Sequence, residues 1–214
     1  MGTERIPQNT MGLLSRSVSI TRYKVQGKLK EPVLETMASC LKKHAIRETD
    51  EDVSDKTVGW TSYDRPYAPD FSGSSFNIGT YFVFSLRMDK RTIPPKMLKK
   101  HCAIEMAKRL ARIDRPYLSS HEKDMIRDDV TSFLRRRIPA TPDVYDILWS
   151  YEEAFLWFFT TLKSANEDLE TLFLKSFEMP LIRLFPYTTA DLAMGLSARD
   201  RDALLTLSAT TFTG

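Results

Sequence analysis

Cysteine and glycine are scarce in this sequence. There are two cysteines in 214 residues, Cys40 and Cys102. This number excludes a disulfide scaffold and fits a reducing cytoplasm, where both thiols are expected to be buried small hydrophobes. With 8 glycines, neither G-x-x-x-x-G-K-[ST] nor G-x-G-x-x-G occurs, which excludes these Gly-rich phosphate loops. No apolar run approaches the roughly 18 residues of a membrane-spanning helix, so we predict no membrane association.

Metal ligands and targeting signals are equally hard to find. The three histidines, at positions 44, 101 and 121, lie outside any H-E-x-x-H or C-x-x-C pattern, so we predict no metal and no cofactor. The first ten residues have no apolar core of the kind an export signal needs. We expect residues 1–11 to be an extension or tag.

The charge is strongly segregated along the chain, although the net charge is only +3. Residues 87–137 hold 15 basic and 7 acidic side chains, whereas residues 138–214 hold 5 and 11. A local excess of this size creates a positive field that attracts polyanions. The alternative is a solvated helical surface whose cations pair with the acidic last third of the chain.

Periodicity predicts an α+β fold with largely antiparallel sheets. An alternating strand over 17–26 places Arg22 and Lys24 on one face, and a helix follows Pro32. A strong strand occupies 81–88, a helix begins at Pro95, and the Ser119–Glu122 spacing predicts a capping box for a second helix. After the second helix, the C-terminal third of the chain is predicted to form two strands, a helix and a third strand. One or two small helices are predicted over 191–207. We predict four segments: residues 1–11, an N-terminal α+β module (12–92), a basic helical pair (93–140) and a C-terminal ββαβ module (141–214).

The basic segment supplies the candidate binding residues, which are long flexible cations suited to phosphates and not to base edges. The predicted DNA-binding residues are Arg87, Lys90, Arg91, Lys96, Lys99, Lys100, Lys108, Arg109, Arg112, Arg135, Arg136 and Arg137. We expect them to share one wall and to bind DNA without sequence preference.

An ordered series of short motifs resembles the bacterial recombination-associated RdgC family. The series covers about residues 12–196. It comprises the strand Ser17–Val25, the Val58-Gly59-Trp60 step, Phe82–Leu86 followed by Thr92-Ile93-Pro94-Pro95, Glu122-Lys123-Asp124, Arg127-Asp128-Asp129-Val130, Leu148-Trp149, the strand from Phe155, Ala165-Asn166-Glu167-Asp168-Leu169, and Pro180-Leu181.

The resemblance implies a non-enzymatic, nucleoid-associated protein of the cytoplasm. Members of the family form a homodimer whose positively charged hole surrounds duplex DNA, and they antagonise recombinases by occupying DNA. Two alternatives remain open at this point. One is a protein-interaction module that keeps the fold without DNA binding. The weaker one is a metal-dependent nuclease that uses Glu122, Asp124, Asp128 and Asp129.

Overall fold

The computed structural model describes residues 12–47, 55–73, 75–113 and 115–207. The expected extension at residues 1–11 lies outside the described residues, as do residues 48–54, Ser74, Asp114 and residues 208–214. Within the described ranges the chain alternates strands and helices. In chain order, these are β1 (Thr21–Val25), α1 (Val33–Lys43), β2 (Lys56–Thr61), β3 (Asn77–Ile78), β4 (Tyr81–Lys90), α2 (Pro95–Leu110), α3 (Ser120–Arg135), β5 (Thr141–Ser150), β6 (Phe155–Phe158), α4 (Lys163–Phe177), β7 (Leu181–Arg183), α5 (Pro186–Met194) and α6 (Ala198–Leu205).

The described strands form one seven-stranded sheet in the order β2-β4-β5-β6-β1-β7, with β3 paired to β4. β1 runs antiparallel to both β6 and β7, with Thr21 opposite Phe158 and Val25 opposite Leu181. The α+β class is therefore confirmed. The strands of the N- and C-terminal segments, however, share this sheet instead of forming separate ones. Strand pairing joins residues more than 130 positions apart, and no local pattern in the sequence records it.

The chain divides into two compact units whose borders differ from the predicted segments. Among the described residues, unit 1 comprises those within 12–45, 60–86 and 144–207, and unit 2 comprises those within 46–47, 55–59 and 87–143. The basic helical pair lies within unit 2 together with the ends of the flanking strands. All twelve predicted DNA-binding residues therefore belong to unit 2.

The core of unit 1 is aromatic. Trp149 of β5 is 1% exposed, and its ring lies 5.2 Å from that of Phe173 and 5.6 Å from that of Phe177 on α4. Trp60 of β2 is fully buried, and its indole N–H donates to the Ser176 hydroxyl at 2.8 Å. Because these rings project from the sheet towards α4, this helix covers one face of the unit 1 strands.

The core of unit 2 is the seam between α2 and α3. Cys102 of α2 packs in one cluster with Ile126, Val130 and Leu134 of α3. The α3 residues recur every four positions, as the sequence predicts for a buried stripe. Cys102 is 9% exposed, which agrees with its expected role as a small buried hydrophobe, whereas Cys40 of α1 is only partly buried.

The start of α3 has the capping box that the sequence predicts. The Ser119 hydroxyl accepts from the Glu122 backbone N–H, and the Glu122 carboxylate accepts from the Ser119 backbone N–H at 2.8 Å. These two bonds satisfy donors that a helix start otherwise leaves unpaired. The local sequence thus fixes where α3 begins.

We expect Ser119→Ala to lower the free energy of unfolding by about 1 kcal/mol, because the substitution removes the side-chain cap of α3. Urea unfolding followed by circular dichroism measures the change. The neighbouring exposed Ser120, inside the first turn, provides the matched control Ser120→Ala. Equal stability of Ser119→Ala and Ser120→Ala would contradict the capping role.

Candidate nucleic-acid interface

The cations of α2 lie in two groups on different sides of the helix. Leu98, Cys102 and the residues that follow at intervals of four form the side that packs on α3. At about 100° per residue, Lys96, Lys99 and Lys100 project to one flank of that side. All three side chains are exposed, and none forms an ion pair with a residue that the structure describes. We call these three residues the lysine cluster.

The second group lies in the last turns of α2 and the residues just after it. By the same helical spacing, Lys108, Arg109 and Arg112 project roughly opposite the lysine cluster. Lys108 pairs with Glu105 at 3.2 Å, whereas Arg109 and Arg112 are exposed and have no ion pair among the described residues. The helix therefore does not gather its cations on one face, and the prediction that the twelve basic residues share one wall is wrong.

The cations at the end of β4 are partly used within the fold. Arg87 is 6% exposed, and its guanidinium binds the Asp89 carboxylate through two bonds of 2.8 Å. Lys90 lies 3.7 Å from Asp143 on β5. Arg91 is partly buried, and its backbone N–H donates to the Asp55 carbonyl at 3.0 Å. Arg87 thus stabilises the folded strand and is not available to a phosphate.

The three arginines at the end of α3 also have neighbours in unit 2. Arg135 binds Asp55 at 3.0 Å, and Arg136 donates to the Ser132 carbonyl at 3.4 Å. Arg137 lies over the Phe133 ring, with its guanidinium carbon 4.1 Å from the ring centroid. Exposed ion pairs are weak, so Arg135 can exchange its partner. The arginines nevertheless stabilise the helix end, where the macrodipole favours cations.

The lysine cluster brings together three exposed cations of the predicted set, and none of the three pairs with a described carboxylate. Its position is electrostatically unfavourable for the isolated helix, because the first turn of α2 contains no acidic residue and the positive end of the helix dipole lies there. Lys96 to Lys100 covers about 6 Å of helix axis, and each strand of duplex DNA carries one phosphate per about 3.4 Å of duplex axis. An anion at this end would therefore meet both the lysines and the dipole.

We expect Lys96→Glu to raise the free energy of unfolding by about 0.3–1 kcal/mol, since a carboxylate in the first turn interacts favourably with the dipole. The matched control Arg109→Glu, in the last turn, should lower it by a similar amount. Thermal unfolding at low salt compares the two. If both variants changed the free energy of unfolding in the same direction, the helix dipole would not explain the effect of charge on α2.

The acidic residues of α3 do not form a metal site in the structure. The Glu122 carboxylate is bound by the backbone N–H and hydroxyl of Ser119 and by the Arg115 guanidinium at 2.6 Å. These partners lower the pKa of Glu122 to about 2. Among the described residues, no group of three His, Cys, Asp or Glu side chains is placed to hold a metal ion. Glu122 is one of the four acidic residues that the nuclease alternative requires. In the structure its carboxylate caps the start of α3.

No protein-family model matches the chain, and a search of curated proteins finds no match. The resemblance to the RdgC family therefore stays a prediction. In the part of the chain that the structure describes, no helix is both long and apolar enough to cross a membrane.

Proposed function

We propose that this protein binds DNA without sequence preference, through phosphate contacts made by the lysine cluster. The observation that carries the proposal is the position of Lys96, Lys99 and Lys100: three exposed cations without ion pairs among the described residues, at the positive end of a helix. Such a position is unfavourable in the free protein and becomes favourable when an anion binds. DNA backbones supply closely spaced anions.

The residue types on α2 favour backbone contacts over base reading. The helix contains no Asn or Gln, the residues that bind adenine edges in a bidentate manner. Lysine acts on phosphate as a mobile point charge, and its contacts position a protein on DNA without reporting sequence. Binding by the lysine cluster should therefore be nearly equal on unrelated sequences.

The resemblance to the RdgC family supports the biological setting of this proposal. By that resemblance, the protein is a non-enzymatic homodimer in the cytoplasm, associated with the nucleoid, that modulates recombination by coating or encircling DNA. Exclusion of recombinases from the occupied DNA would be the mechanism. Duplex DNA is the favoured partner.

A protein-interaction module is the second candidate, and one observation favours it. The outward side of α2 carries Met97 and Ile104, which are 39% and 43% exposed. On α3, Met125 and Phe133 are exposed to 43% and 42%. A partner protein that covered these four side chains would remove their apolar surface from water. In this case the lysines would flank a protein interface.

Equilibrium binding to two unrelated duplexes of equal length tests the proposal. Between about 50 and 200 mM salt, log K should fall linearly with log salt by about 0.9 for each phosphate neutralised, with the same slope on both duplexes. A salt-independent affinity would contradict binding through phosphate contacts, and no binding at about 50 mM salt would contradict DNA binding and favour the interaction module.

A further inference from the structure

One face of the unit 1 sheet combines aromatic rings with cations. Directly opposed residues of an antiparallel pair point to the same side of a sheet. Arg22 of β1 lies opposite Trp157 of β6, and Lys24 lies opposite Phe155. The intervening Tyr23 and Leu156 point to the other side and are fully buried. This face is therefore distinct from the one that α4 covers.

The rings on this face are accessible. Tyr81 of β4 is 38% exposed, and its ring centroid lies 6.4 Å from that of Trp157. Phe155 and Trp157 are partly buried, with centroids 6.4 Å apart. We call Tyr81, Phe155, Trp157, Arg22 and Lys24 the aromatic face. Planar rings at such spacings offer successive surfaces for stacking.

The two cations have different environments. The Lys24 ammonium lies 4.2 Å above the centroid of the Phe155 ring and donates to the Glu153 carbonyl at 2.9 Å. Lys24 is thus held against the sheet by a cation–π contact. Arg22 is exposed and makes no ion pair with a described residue. Its guanidinium remains available to an anion beside Trp157.

A cavity of about 250 Å³ lies beside three members of the aromatic face, Arg22, Phe155 and Trp157. Its lining residues are Arg22, Glu153, Phe155, Leu156, Trp157 and Leu184. This volume lies below the roughly 300 Å³ at which pockets for small-molecule ligands begin. The cavity is therefore smaller than a typical ligand pocket, and Phe155 and Trp157 supply the aromatic part of its lining.

We propose that the aromatic face binds unpaired nucleotides of a single-stranded nucleic acid, with bases stacked on Trp157 and Tyr81 and a phosphate on Arg22. Single-strand binding sites combine stacking rings with cations that follow the backbone, and stacking tolerates any base. Duplex DNA cannot use this face, because its bases are stacked on one another. The proposal does not depend on the lysine cluster, which belongs to the other unit.

Tryptophan fluorescence of the 214-residue chain provides a direct test. Trp60 and Trp149 are at most 1% exposed, so quenching by a stacked base reports on Trp157. We expect a short oligothymidylate to quench the fluorescence with saturation, and a duplex of the same length to quench little. Arg22→Gln combined with Tyr81→Ala should weaken oligothymidylate binding about ten-fold or more. The matched control Lys163→Gln, on α4 across the sheet, should leave it unchanged.

Three results would overturn the inference. They are an absence of quenching by oligothymidylate, equal quenching by the duplex, and quenching that the Arg22→Gln/Tyr81→Ala variant retains in full. Fluorescence that changes with protein concentration alone would instead show a second copy on this face, and would also overturn it. A Lys99→Glu/Lys100→Glu variant separates the two proposals, because it should lose duplex binding and keep the quenching.

Discussion

Charge reversal at two positions of the lysine cluster, Lys99→Glu with Lys100→Glu, is expected to weaken duplex binding by roughly 60-fold near 0.1 M salt. The estimate takes two lost phosphate contacts, each contributing about 0.9 to the slope of log K against log salt. Both lysines are exposed and lie outside the core of unit 2. The loss should be the same on every duplex, because phosphate contacts carry no sequence information.

The other end of α2 supplies the matched control. Arg109→Glu with Arg112→Glu changes the charge by the same amount on the opposite side of the helix. If the lysine cluster is the site, this variant binds duplex DNA more tightly than Lys99→Glu/Lys100→Glu does. Its affinity falls only because the net positive charge of the protein is lower. Equal loss in both variants would mean that the whole positive field, and not the cluster, attracts DNA. Circular dichroism of both variants verifies that the helices are intact.

Truncation of the central ring of unit 1, Trp149→Ala, is expected to lower the free energy of unfolding by about 3–5 kcal/mol. Trp149 is 1% exposed and contacts the rings of Phe82, Phe173 and Phe177. Its removal leaves a cavity between the sheet and α4 that these neighbours cannot fill. Denaturant unfolding followed by circular dichroism measures the loss.

Trp149→Phe should lower the free energy of unfolding considerably less than Trp149→Ala does. Phenylalanine keeps most of the ring contacts, and the indole Nε1 has no hydrogen-bond partner among the described residues. The substitution therefore removes no hydrogen bond within the described fold. An exposed aromatic in unit 2, Tyr117 at 67% exposure, gives the control Tyr117→Ala, which should change stability by less than about 0.5 kcal/mol. A Trp149→Ala variant as stable as this control would contradict the packing described here.

Local sequence patterns predicted most of the helices and strands, because the start and the periodicity of a helix or strand depend on neighbouring residues. The start of α3 follows from Ser119 and Glu122, and the stripe of α3 follows from a spacing of four. The two-residue strand β3 was missed, because Asn77 and Ile78 are too short a run to show a period. The single sheet was also missed, since the pairing of β1 with β6 is set by packing across the chain.

In the candidate site too, the sequence predicts contacts within one helix or strand, whereas contacts between segments distant in sequence could not be predicted. The sequence places the lysines on α2, and the Pro94-Pro95 start could have shown that they lie at the positive end of the helix. Arg87 could also have been set aside, because Asp89 two positions on lies on the same side of a strand. Pairing of Arg135 with Asp55, in contrast, joins residues that are distant in sequence. Arg22 was placed correctly on a strand face, but only the sheet order puts Trp157 beside it.

The salt dependence of duplex binding, compared between the wild-type chain and Lys96→Gln/Lys99→Gln/Lys100→Gln, shows whether the lysine cluster contacts the DNA backbone. Glutamine removes the charge and keeps a long polar side chain. If all three lysines neutralise phosphates, the slope of log K against log salt becomes shallower by about 2.7. A slope unchanged from that of the wild-type chain would contradict the account, because the lysine cluster would then make no contact with the DNA backbone.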